Sequence, residues 1–266
     1  MLERMISEKR NVVDYFDDAS PLYFFEHYRK IDEKYPVLYL RQKYILQMLG
    51  PHREGRVLDV GCGSGALLLE LQARGYDVFG ADISSAMIRN VRKLFTAFYT
   101  PTPSLAVADL EHIPFPDEFF DIAVSAGVIE YLEQDTNALN ELSRVLKPGG
   151  LAFITVTNAL APLWLFETAA RLLGVWNRMV SLVKRGASFP EARPHVPRAL
   201  SRRASNAQLI EVDRAYFHFS PLPFPLELVF PIVSRKVGLR METFSKTKLG
   251  FLGRGCILKM VKAKKT

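Results

Sequence analysis

Cysteine is scarce in this chain of 266 residues, which contains only Cys62 and Cys256. The two lie far apart in the sequence and match no metal-ligand spacing, so neither a metal site nor a disulfide framework is expected. Such cysteine usage is typical of a reducing compartment, and the cytoplasm is the expected location.

Long apolar runs are also absent, although 48% of the residues are hydrophobic. No stretch of about 18 uninterrupted apolar residues occurs, which argues against a transmembrane helix. The first residues, MLERMISEKRNVVDYF, are highly charged and lack the apolar segment of a secretory signal. The hydrophobic content instead predicts a substantial buried core.

Acidic residues are rare in the second part of the chain. Residues 1–158 contain 16 Lys+Arg and 22 Asp+Glu, a net charge of −6, whereas residues 159–266 contain 19 and 6, a net charge of +13. This asymmetry favours contact of the second part with something anionic, such as phospholipid, nucleic acid or a phosphorylated substrate. A solvated basic surface without a partner is the alternative.

Short apolar segments alternate with helical patterns between residues 56 and 158. The strands are expected at 56–60, 76–81, 105–108, 121–125 and 151–157, and Ser84 and Asp135 are expected to cap helices. Such alternation predicts a parallel sheet with right-handed crossovers. Two further strands, at 208–219 and 255–262, are expected to complete the sheet.

The segment VLDVGCGSG, residues 57–65, places glycines directly after the first strand. Gly61, Gly63 and Gly65 let the backbone turn tightly and approach a ligand with no Cβ in the way. Alone, a Gly-rich turn also fits a dinucleotide such as NAD. Asp59 favours another ligand, because its carboxylate would repel a pyrophosphate but suits a cationic amino-acid group. Bracing of the turn is the alternative role of Asp59.

Two further acids follow the next two strands. Asp82, in GADIS, can accept both hydroxyls of a ribose, and Asp109, in VADLEHIPF, is placed to meet an adenine amino group. Their order along successive strand ends predicts a nucleoside site with an amino-acid portion near Asp59.

The motifs VLDVGCGSG, GADIS, ADLEHIPFPDEFFDIAVSAGVIEYL and LKPGG together resemble those of class I S-adenosylmethionine (SAM)-dependent methyltransferases. The resemblance is strongest to the small-molecule branch that includes ubiquinone and menaquinone methyltransferases, and it covers about residues 55–158. It implies SAM as the cofactor and methyl transfer as the activity. It also implies an α/β fold, a Rossmann-like, seven-stranded, mostly parallel sheet with helices on both faces.

The resemblance further implies a set of cofactor contacts. Gly61 and Gly63 would pack against the methionine part, Asp82 would hold the ribose, and Ala126 and Gly127 would flank the sulfonium. An aromatic segment that begins at Tyr15 would fold over the cofactor, with core packing as its alternative role. The complete set is Tyr15, Asp59, Gly61, Cys62, Gly63, Asp82, Ile83, Met87, Asp109, Leu110, Ala126 and Gly127.

Glu130 and Tyr131, in VIEYL after the fourth strand, are the predicted catalytic residues. Related quinone methyltransferases often have Glu-His there, so Tyr131 puts a simple histidine-base mechanism in doubt. Glu130 is a candidate base, and a helix cap or a brace for the N-terminal segment is its alternative role. His27, His112 and His195 are further candidates. Methyl transfer needs chiefly placement, and a base only where the acceptor must lose a proton.

The acceptor is expected to be a small, hydrophobic or lipid-linked molecule. Residues 159–185 combine a wide apolar face, including Trp164 and Trp176, with a polar and basic stripe. That pattern is typical of a helix on an anionic membrane surface, and a lid packed on the domain is its alternative. The stripe consists of Glu167, Arg171, Gly174, Arg178, Ser181 and Arg185. The apolar segment SPLPFPLELVFPIV is suited to line an acceptor channel.

The predicted organisation has four parts. Residues 1–50 form an N-terminal helical segment over the cofactor, 51–158 the SAM-binding core, 159–207 a basic cap inserted after the fifth strand, and 208–266 the final strand pair with an apolar Pro-rich insertion. Nucleic acid is a disfavoured partner, because Asn-Pro-Pro-Tyr is absent after the fourth strand. The inner face of the membrane is an alternative location to the free cytoplasm.

Two other functions stay open. One is a non-catalytic SAM-binding or membrane-associated scaffold, for which the altered Glu-Tyr pair leaves room. The other is an NAD-dependent oxidoreductase, against which Asp59 and the lack of a Tyr-x-x-x-Lys set argue.

Overall fold

Seven strands form one sheet in the computed structural model, which describes residues 2–24, 28, 36–50, 54–172, 192–223 and 226–264. The strands are β1 (Arg56–Val60), β2 (Asp77–Asp82), β3 (Ser104–Val107), β4 (Phe120–Ala126), β5 (Leu146–Thr157), β6 (Leu209–Phe217) and β7 (Gly255–Lys262). Their order is β3-β2-β1-β4-β5-β7-β6, with β7 antiparallel to both β5 and β6 and the other pairs parallel. The predicted seven-stranded, mostly parallel sheet is confirmed.

Helices surround the sheet. They are α1 (Leu2–Phe24), α2 (Val37–Leu49), α3 (Ala66–Ala73), α4 (Ser85–Ala97), α5 (Asp135–Val145), α6 (Pro162–Leu172), α7 (Pro197–Asn206), α8 (Leu226–Val229) and α9 (Pro231–Met241). Short 3₁₀ helices span Ile129–Tyr131, Glu242–Phe244 and Lys248–Leu252. Within the described ranges, none of the helices combines the length and apolarity that crossing a membrane requires.

Two apolar cores, one on each face of the sheet, hold the helices in place. Side chains alternate between the faces of a strand, so Leu58 of β1 belongs to one core and Val57 to the other. Residues of α5 and α7 pack in the first core, and residues of α2, α3 and α4 pack in the second. Both faces of the central strands are therefore buried, as their continuous apolar sequences predict.

The start of β5 differs from the expectation. The strand begins at Leu146, where it pairs with Phe120, but its regular pairing with β4 resumes only at Leu151, opposite Ile122. The intervening turn includes Gly149 at φ +82°. The predicted start at residue 151 therefore marks the regular ladder, and the residues before it form an irregular entry to the strand.

The two predicted helix caps have different outcomes. The Ser84 hydroxyl accepts a hydrogen bond from the amide of Met87, so its role as the cap of α4 is confirmed. Asp135 is instead the first residue of α5, and Gln134 occupies the cap position without a side-chain hydrogen bond. The Asp135 carboxylate is buried and binds Arg193, His195 and Arg203, which is why it does not cap the helix.

The segment after β5 leaves the sheet through α6 and returns beside the end of β5. Arg193 N donates to the carbonyl of Glu130 at 2.7 Å, and His195 N donates to the carbonyl of Thr157 at 2.8 Å. On α6, Glu167 of the predicted polar stripe is buried, whereas Leu165 and Phe166 are about half exposed. His27, Trp176 and the basic residues between 173 and 191 lie outside the described residues.

Candidate functional site

A cavity of about 680 Å³ opens at the carboxyl ends of the parallel strands. Ligands of open α/β sheets bind at this edge, because loops there meet from several strands. The turns after β1, β2 and β3 supply one side of the wall, and residues of β5, β7 and β6 supply the other. The N-terminal helices also contribute, through Lys9, Phe16, Tyr23 and Arg41.

The glycine turn after β1 is held against the end of β2. The amides of Gly61 and Cys62 both donate to the carbonyl of Ala81, at 2.7 and 3.1 Å. Gly61 has φ +73°, and a Cβ at this position would lie 2.1 Å from Cγ2 of Val128. Only glycine fits both the conformation and the space, so the turn presents bare backbone to the cavity.

Asp82 stands at the cavity wall with both carboxylate oxygens oriented by backbone amides. Gly63 N donates to Oδ2 at 2.8 Å, and Ser84 N donates to Oδ1 at 2.9 Å. Burial raises the pKa of Asp82 to about 6, although these two hydrogen bonds favour the charged form. Each oxygen can accept a further hydrogen bond, so the geometry suits the two hydroxyls of a ribose.

Asp59 lies on β1 behind the glycine turn and does not line the cavity. Asp59 is 3% exposed, and its Oδ1 has no hydrogen-bond partner among the described residues. Burial raises the pKa of Asp59 to about 7 against the opposing influence of the Arg41 charge. A buried carboxylate oxygen without a partner is costly, so this position suits a ligand that brings a positive charge or an ordered water.

Arg41 is a site residue that the sequence analysis missed. Gly127, at φ +75°, leaves room for it, because a Cβ there would lie 2.2 Å from Nη1 of Arg41. The guanidinium thus faces the end of β4, and its charge influences Asp59. Together Asp59 and Arg41 offer the two opposite charges that the ammonium and carboxylate of an amino acid require. The available signal was a lone arginine in the apolar helix segment LYLRQKYIL.

Asp109 follows β3 and is contacted by α1. Lys9 Nζ donates to Asp109, and also to Oε2 of Glu111 at 2.5 Å. Further along α1, the Asp17 carboxylate accepts a hydrogen bond from the Ser84 hydroxyl at the start of α4. Helix α1 therefore packs over the ends of β2 and β3 and forms part of the cavity wall.

Most of the predicted cofactor contacts share this cavity. Those that line it are Gly61, Cys62, Gly63, Asp82, Ile83, Asp109, Leu110, Ala126 and Gly127. Besides Asp59, Tyr15 and Met87 lie outside the wall. On a helix, adjacent side chains point in different directions, so Phe16 faces the cavity where Tyr15 was expected. Met87 is fully buried beneath the start of α4, where only its amide bonds to Ser84.

Glu130 and Tyr131 border the cavity on the short helix after β4. Oε2 of Glu130 accepts hydrogen bonds from both the amide and the hydroxyl of Thr157, each at 2.9 Å. The carboxylate thus joins this helix to the end of β5. The ring of Tyr131 packs edge-on against Phe16 at 5.9 Å, and burial raises the pKa of its hydroxyl, which stays protonated.

A cluster of polar side chains lies in the cavity wall next to β6 and β7. Arg254 Nη2 donates to the buried Glu167 at 2.8 Å, and Nη1 lies 3.9 Å from Oε2 of Glu227. His218 also lines the wall, and burial together with the Arg254 charge lowers its pKa to about 3. By contrast, neither His112 nor His195 lines the cavity. His218 lacked a sequence signal, because only the folded strand pair brings it to this edge.

Comparison with known proteins agrees with this geometry. A family described as "Methyltransferase domain" matches residues 58–154. An uncharacterised methyltransferase, YodH of Bacillus subtilis, is 35% identical over 109 residues, which are 41% of this chain and 46% of that protein. The ubiquinone/menaquinone biosynthesis C-methyltransferase UbiE of Azotobacter vinelandii is 33% identical over 129 residues, 46% of this chain and 51% of that protein. The chain thus spans about half the length of these curated relatives.

Solved structures share the fold over a larger part of the chain. A SAM-dependent methyltransferase from Thermotoga maritima matches with a TM-score of 0.60 at 17% identity, over 95% of this chain and 98% of that one. Geranyl diphosphate C-methyltransferase from Streptomyces coelicolor, in complex with S-adenosylhomocysteine, matches with a TM-score of 0.56 at 14% identity, over 85% and 79%. At these identities the likeness concerns the fold.

Proposed function

The chain carries a class I SAM-dependent methyltransferase domain, and from this premise we propose that it transfers the methyl group of SAM to a small, hydrophobic or lipid-linked acceptor. The proposal rests on one observation: the glycine turn, Asp82 and Asp109 line the same cavity at the carboxyl edge of the sheet. This arrangement matches a nucleoside joined to an amino acid.

The residues present fit SAM from end to end. Asp82 would hold the ribose hydroxyls, and the backbone at Gly61 and Gly63 would pack against the methionine part. Asp59 and Arg41 would meet the ammonium and carboxylate charges. Asp109 would receive the adenine amine in place of its present partner Lys9. This complementarity disfavours a pyrophosphate ligand, since the Asp59 and Asp82 carboxylates lie next to the turn.

Catalysis in this proposal rests on placement. SAM supplies an electrophilic methyl group on a sulfonium, which a correctly aligned acceptor can displace in line. Phe16 and Tyr131 provide aromatic edges and faces that exclude water and suit a cation. Glu130 and Tyr131 are proposed to act in catalysis by shaping the wall, with Glu130 holding Thr157 in position.

The apolar character of the acceptor is supported by the surface around α8 and α9. Glu227, Pro231 and Ser234 of these helices line the cavity. Their neighbours are exposed apolar side chains: Leu226, Val229, Phe230, Ile232, Val233 and Val237. Two of the curated relatives are named as a ubiquinone/menaquinone biosynthesis methyltransferase and a malonyl-[acyl-carrier protein] methyltransferase, and an apolar or carrier-linked acceptor is consistent with those names.

The same surface supports contact with an anionic membrane. The exposed apolar residues of α9 are accompanied by the basic residues Arg235, Lys236 and Arg240. Among the residues of α8 and α9, Glu227 is the one acid, and it lines the cavity. An apolar patch beside basic residues is the combination that binds anionic lipid. We therefore place the membrane contact at α8 and α9, in addition to the predicted contact through residues 159–185.

Calorimetry with SAM and S-adenosylhomocysteine tests the cofactor assignment. We expect Asp82→Ala to lose about 2–4 kcal/mol of affinity for both ligands, because paired charge-assisted hydrogen bonds disappear. Asp77→Ala is the matched control, since this acid lies on the same strand, is exposed and makes only a loose surface pair with Arg56. Equal affinity of the Asp82 variant and the unaltered protein would overturn the assignment.

The acceptor class is tested by incubating the protein with isotopically labelled SAM and either lipid extract or polar metabolites. Label transferred to the lipid fraction supports the proposal, and label only in polar products contradicts the apolar acceptor. If SAM binds but no fraction is labelled, the non-catalytic scaffold function replaces the enzyme.

A further inference from the structure

Arg254 is held rigidly at the acceptor side of the cavity. Its amide donates to the carbonyl of His218 at 3.0 Å, and its own carbonyl accepts from the amide of Asn158 at 2.7 Å. Nη2 binds the buried Glu167 at 2.8 Å, which fixes the plane of the guanidinium. These contacts position the Arg254 side chain without a bound ligand.

The other terminal nitrogen of Arg254 is buried but not satisfied. Nη1 has no hydrogen-bond partner within the described parts of the chain, and Oε2 of Glu227 lies 3.9 Å from it. That separation exceeds a hydrogen bond, and a buried donor without an acceptor is costly. A ligand oxygen beside Nη1 would remove this cost.

Glu227 supplies the complementary acceptor. Glu227 lines the cavity, and its Oε2 lies 3.0 Å from the Ser220 hydroxyl, whose single proton is shared with the carbonyl of Leu222 at 2.8 Å. A carboxylate has more lone pairs than this single hydrogen bond uses. The wall therefore presents one donor, Nη1 of Arg254, and one acceptor, the Glu227 carboxylate, close to each other.

We propose that Arg254 and Glu227 form an acceptor subsite for a neutral hydroxyl group, as in a phenol, enol or alcohol. The hydroxyl would donate its proton to Glu227 and accept a hydrogen bond from Nη1 of Arg254. This subsite deepens the proposed function, on which it rests, by specifying the polar group of an otherwise apolar acceptor.

The local charges distinguish a hydroxyl from other polar groups. Glu167 and Glu227 together outnumber the single positive charge of Arg254, and His218 is neutral, because burial lowers its pKa to about 3. A carboxylate ligand would therefore meet repulsion from Glu227, and an ammonium would leave Nη1 without an acceptor. A methyl ether could accept from Arg254 but has no proton for Glu227.

Binding of matched probes in the presence of saturating S-adenosylhomocysteine tests the subsite. The probes are 4-nonylphenol, its methyl ether 4-nonylanisole, decanoate and decylamine, measured by calorimetry. We expect the phenol to bind at least about tenfold more tightly than the ether, with decanoate and decylamine weaker than the phenol. Arg254→Met and Glu227→Met should each reduce the phenol preference to less than about threefold, because each removes one of the two hydrogen-bonding partners.

Arg214→Met is the matched control, since this arginine pairs with Glu211 on β6 and does not line the cavity. Its phenol preference should equal that of the unaltered protein. If Arg254→Met fails to fold because Glu167 loses its partner, the double variant Glu167→Gln/Arg254→Met provides the same test. Equal binding of phenol and ether, or a preference that survives both variants, overturns the subsite. If the unaltered protein does not bind S-adenosylhomocysteine, that result counts against the proposed function and not against the subsite.

Discussion

Asp59 combines two opposing requirements at the scale of a single residue. Its position behind the glycine turn suits a cationic ligand, but burial without a hydrogen-bond partner for Oδ1 disfavours its charge in the free protein. Residues that bind a ligand commonly carry such a cost in stability. The pH dependence of stability makes this cost measurable.

We expect Asp59→Asn to stabilise the free protein more at pH 8 than at pH 5. The pKa of Asp59 is raised to about 7, so the folded state binds the proton more tightly than the unfolded state, whose pKa is near 3.8. Its contribution to stability is therefore present at low pH and is lost as pH rises from about 4 to 7. Thermal unfolding should give the variant a Tm higher by at least about 2 °C at pH 8.

The same variant should bind SAM less tightly, because the ammonium group loses its countercharge. A variant that binds SAM as tightly as the unaltered protein would show that Asp59 only braces the turn. If its Tm also equalled that of the unaltered protein at both pH values, the burial of a charge at Asp59 would be refuted.

The site residues fall into two groups, those placed by their own strand and those placed by packing between segments that are distant in the sequence. Asp82 and Gly61 follow strands directly, so an ordered motif was enough to predict that they meet at one sheet edge. Arg41 and Arg254 reach the cavity from α2 and from the start of β7, and their roles depend on packing between distant segments. For Arg41 the local signal was only a lone arginine in an apolar segment, no local pattern marks Arg254, and both were missed.

At the scale of elements, buried apolar strands were the most predictable part of the fold. β1 and β7 have the expected bounds, because each is a short apolar segment with clear turn residues around it. The entry to β5 was not predictable, since Leu146 and the residues after it pair through a register shift rather than a regular ladder. The role of Asp135 was also mistaken, because its partners lie about sixty residues further along the chain.

Asp135 anchors the returning segment at 192–196, and we expect Asp135→Asn to loosen it. The carboxylate is fully buried, and its bonds to His195 and Arg193 lower its pKa despite that burial. The variant should lose about 2 kcal/mol of stability at pH 7, discounted because the two arginines are partly exposed. Hydrogen exchange should increase at 192–196, while the affinity for S-adenosylhomocysteine should change little.

Asp117→Asn is the control for this experiment, since Asp117 is largely exposed and pairs with Arg144 on the surface. The lowered pKa of Asp135 also sets the pH range of the effect. The stability that it contributes is present above about pH 4 and is lost as pH falls through its folded pKa. Unchanged exchange at 192–196 in the Asp135 variant would show that other contacts hold the segment.

At the scale of the whole molecule, the charge asymmetry in the sequence predicts that residues 159–266 contact an anionic partner, but it does not predict which surface makes the contact. The exposed apolar residues of α8 and α9 are interspersed with basic ones, whereas Ser234 of α9 is buried and lines the cavity. A sequence pattern does not reveal which side of so short a helix is packed. The folded chain was needed to locate the patch.

Sedimentation with lipid vesicles tests the membrane contact. We expect the protein to bind vesicles that contain phosphatidylglycerol, to bind phosphatidylcholine vesicles weakly, and to dissociate partly at high salt. Each basic residue near an anionic surface contributes on the order of 1 kcal/mol, and inserted apolar side chains add a part that salt does not remove.

Ile232→Asp should reduce binding to the anionic vesicles by about tenfold, because it removes an exposed apolar side chain and adds a negative charge. Ile210→Asp is the control, since Ile210 is also exposed but belongs to the edge strand β6 and not to α8 or α9. A protein that stays in the supernatant with every lipid and salt concentration would rule out membrane contact.

The position of β7 between β5 and β6 has a consequence for how the chain folds during synthesis. A ribosome completes β5 and then β6 before it makes β7, which alone joins them. The nascent chain can assemble the first five strands in order, but β6 has no neighbour in the sheet at that stage. Both β5 and β6 therefore expose unpaired backbone until residues 255–262 leave the ribosomal exit tunnel. Until β7 is made, these two edges are open to pairing with other chains, and its insertion between β5 and β6 closes them.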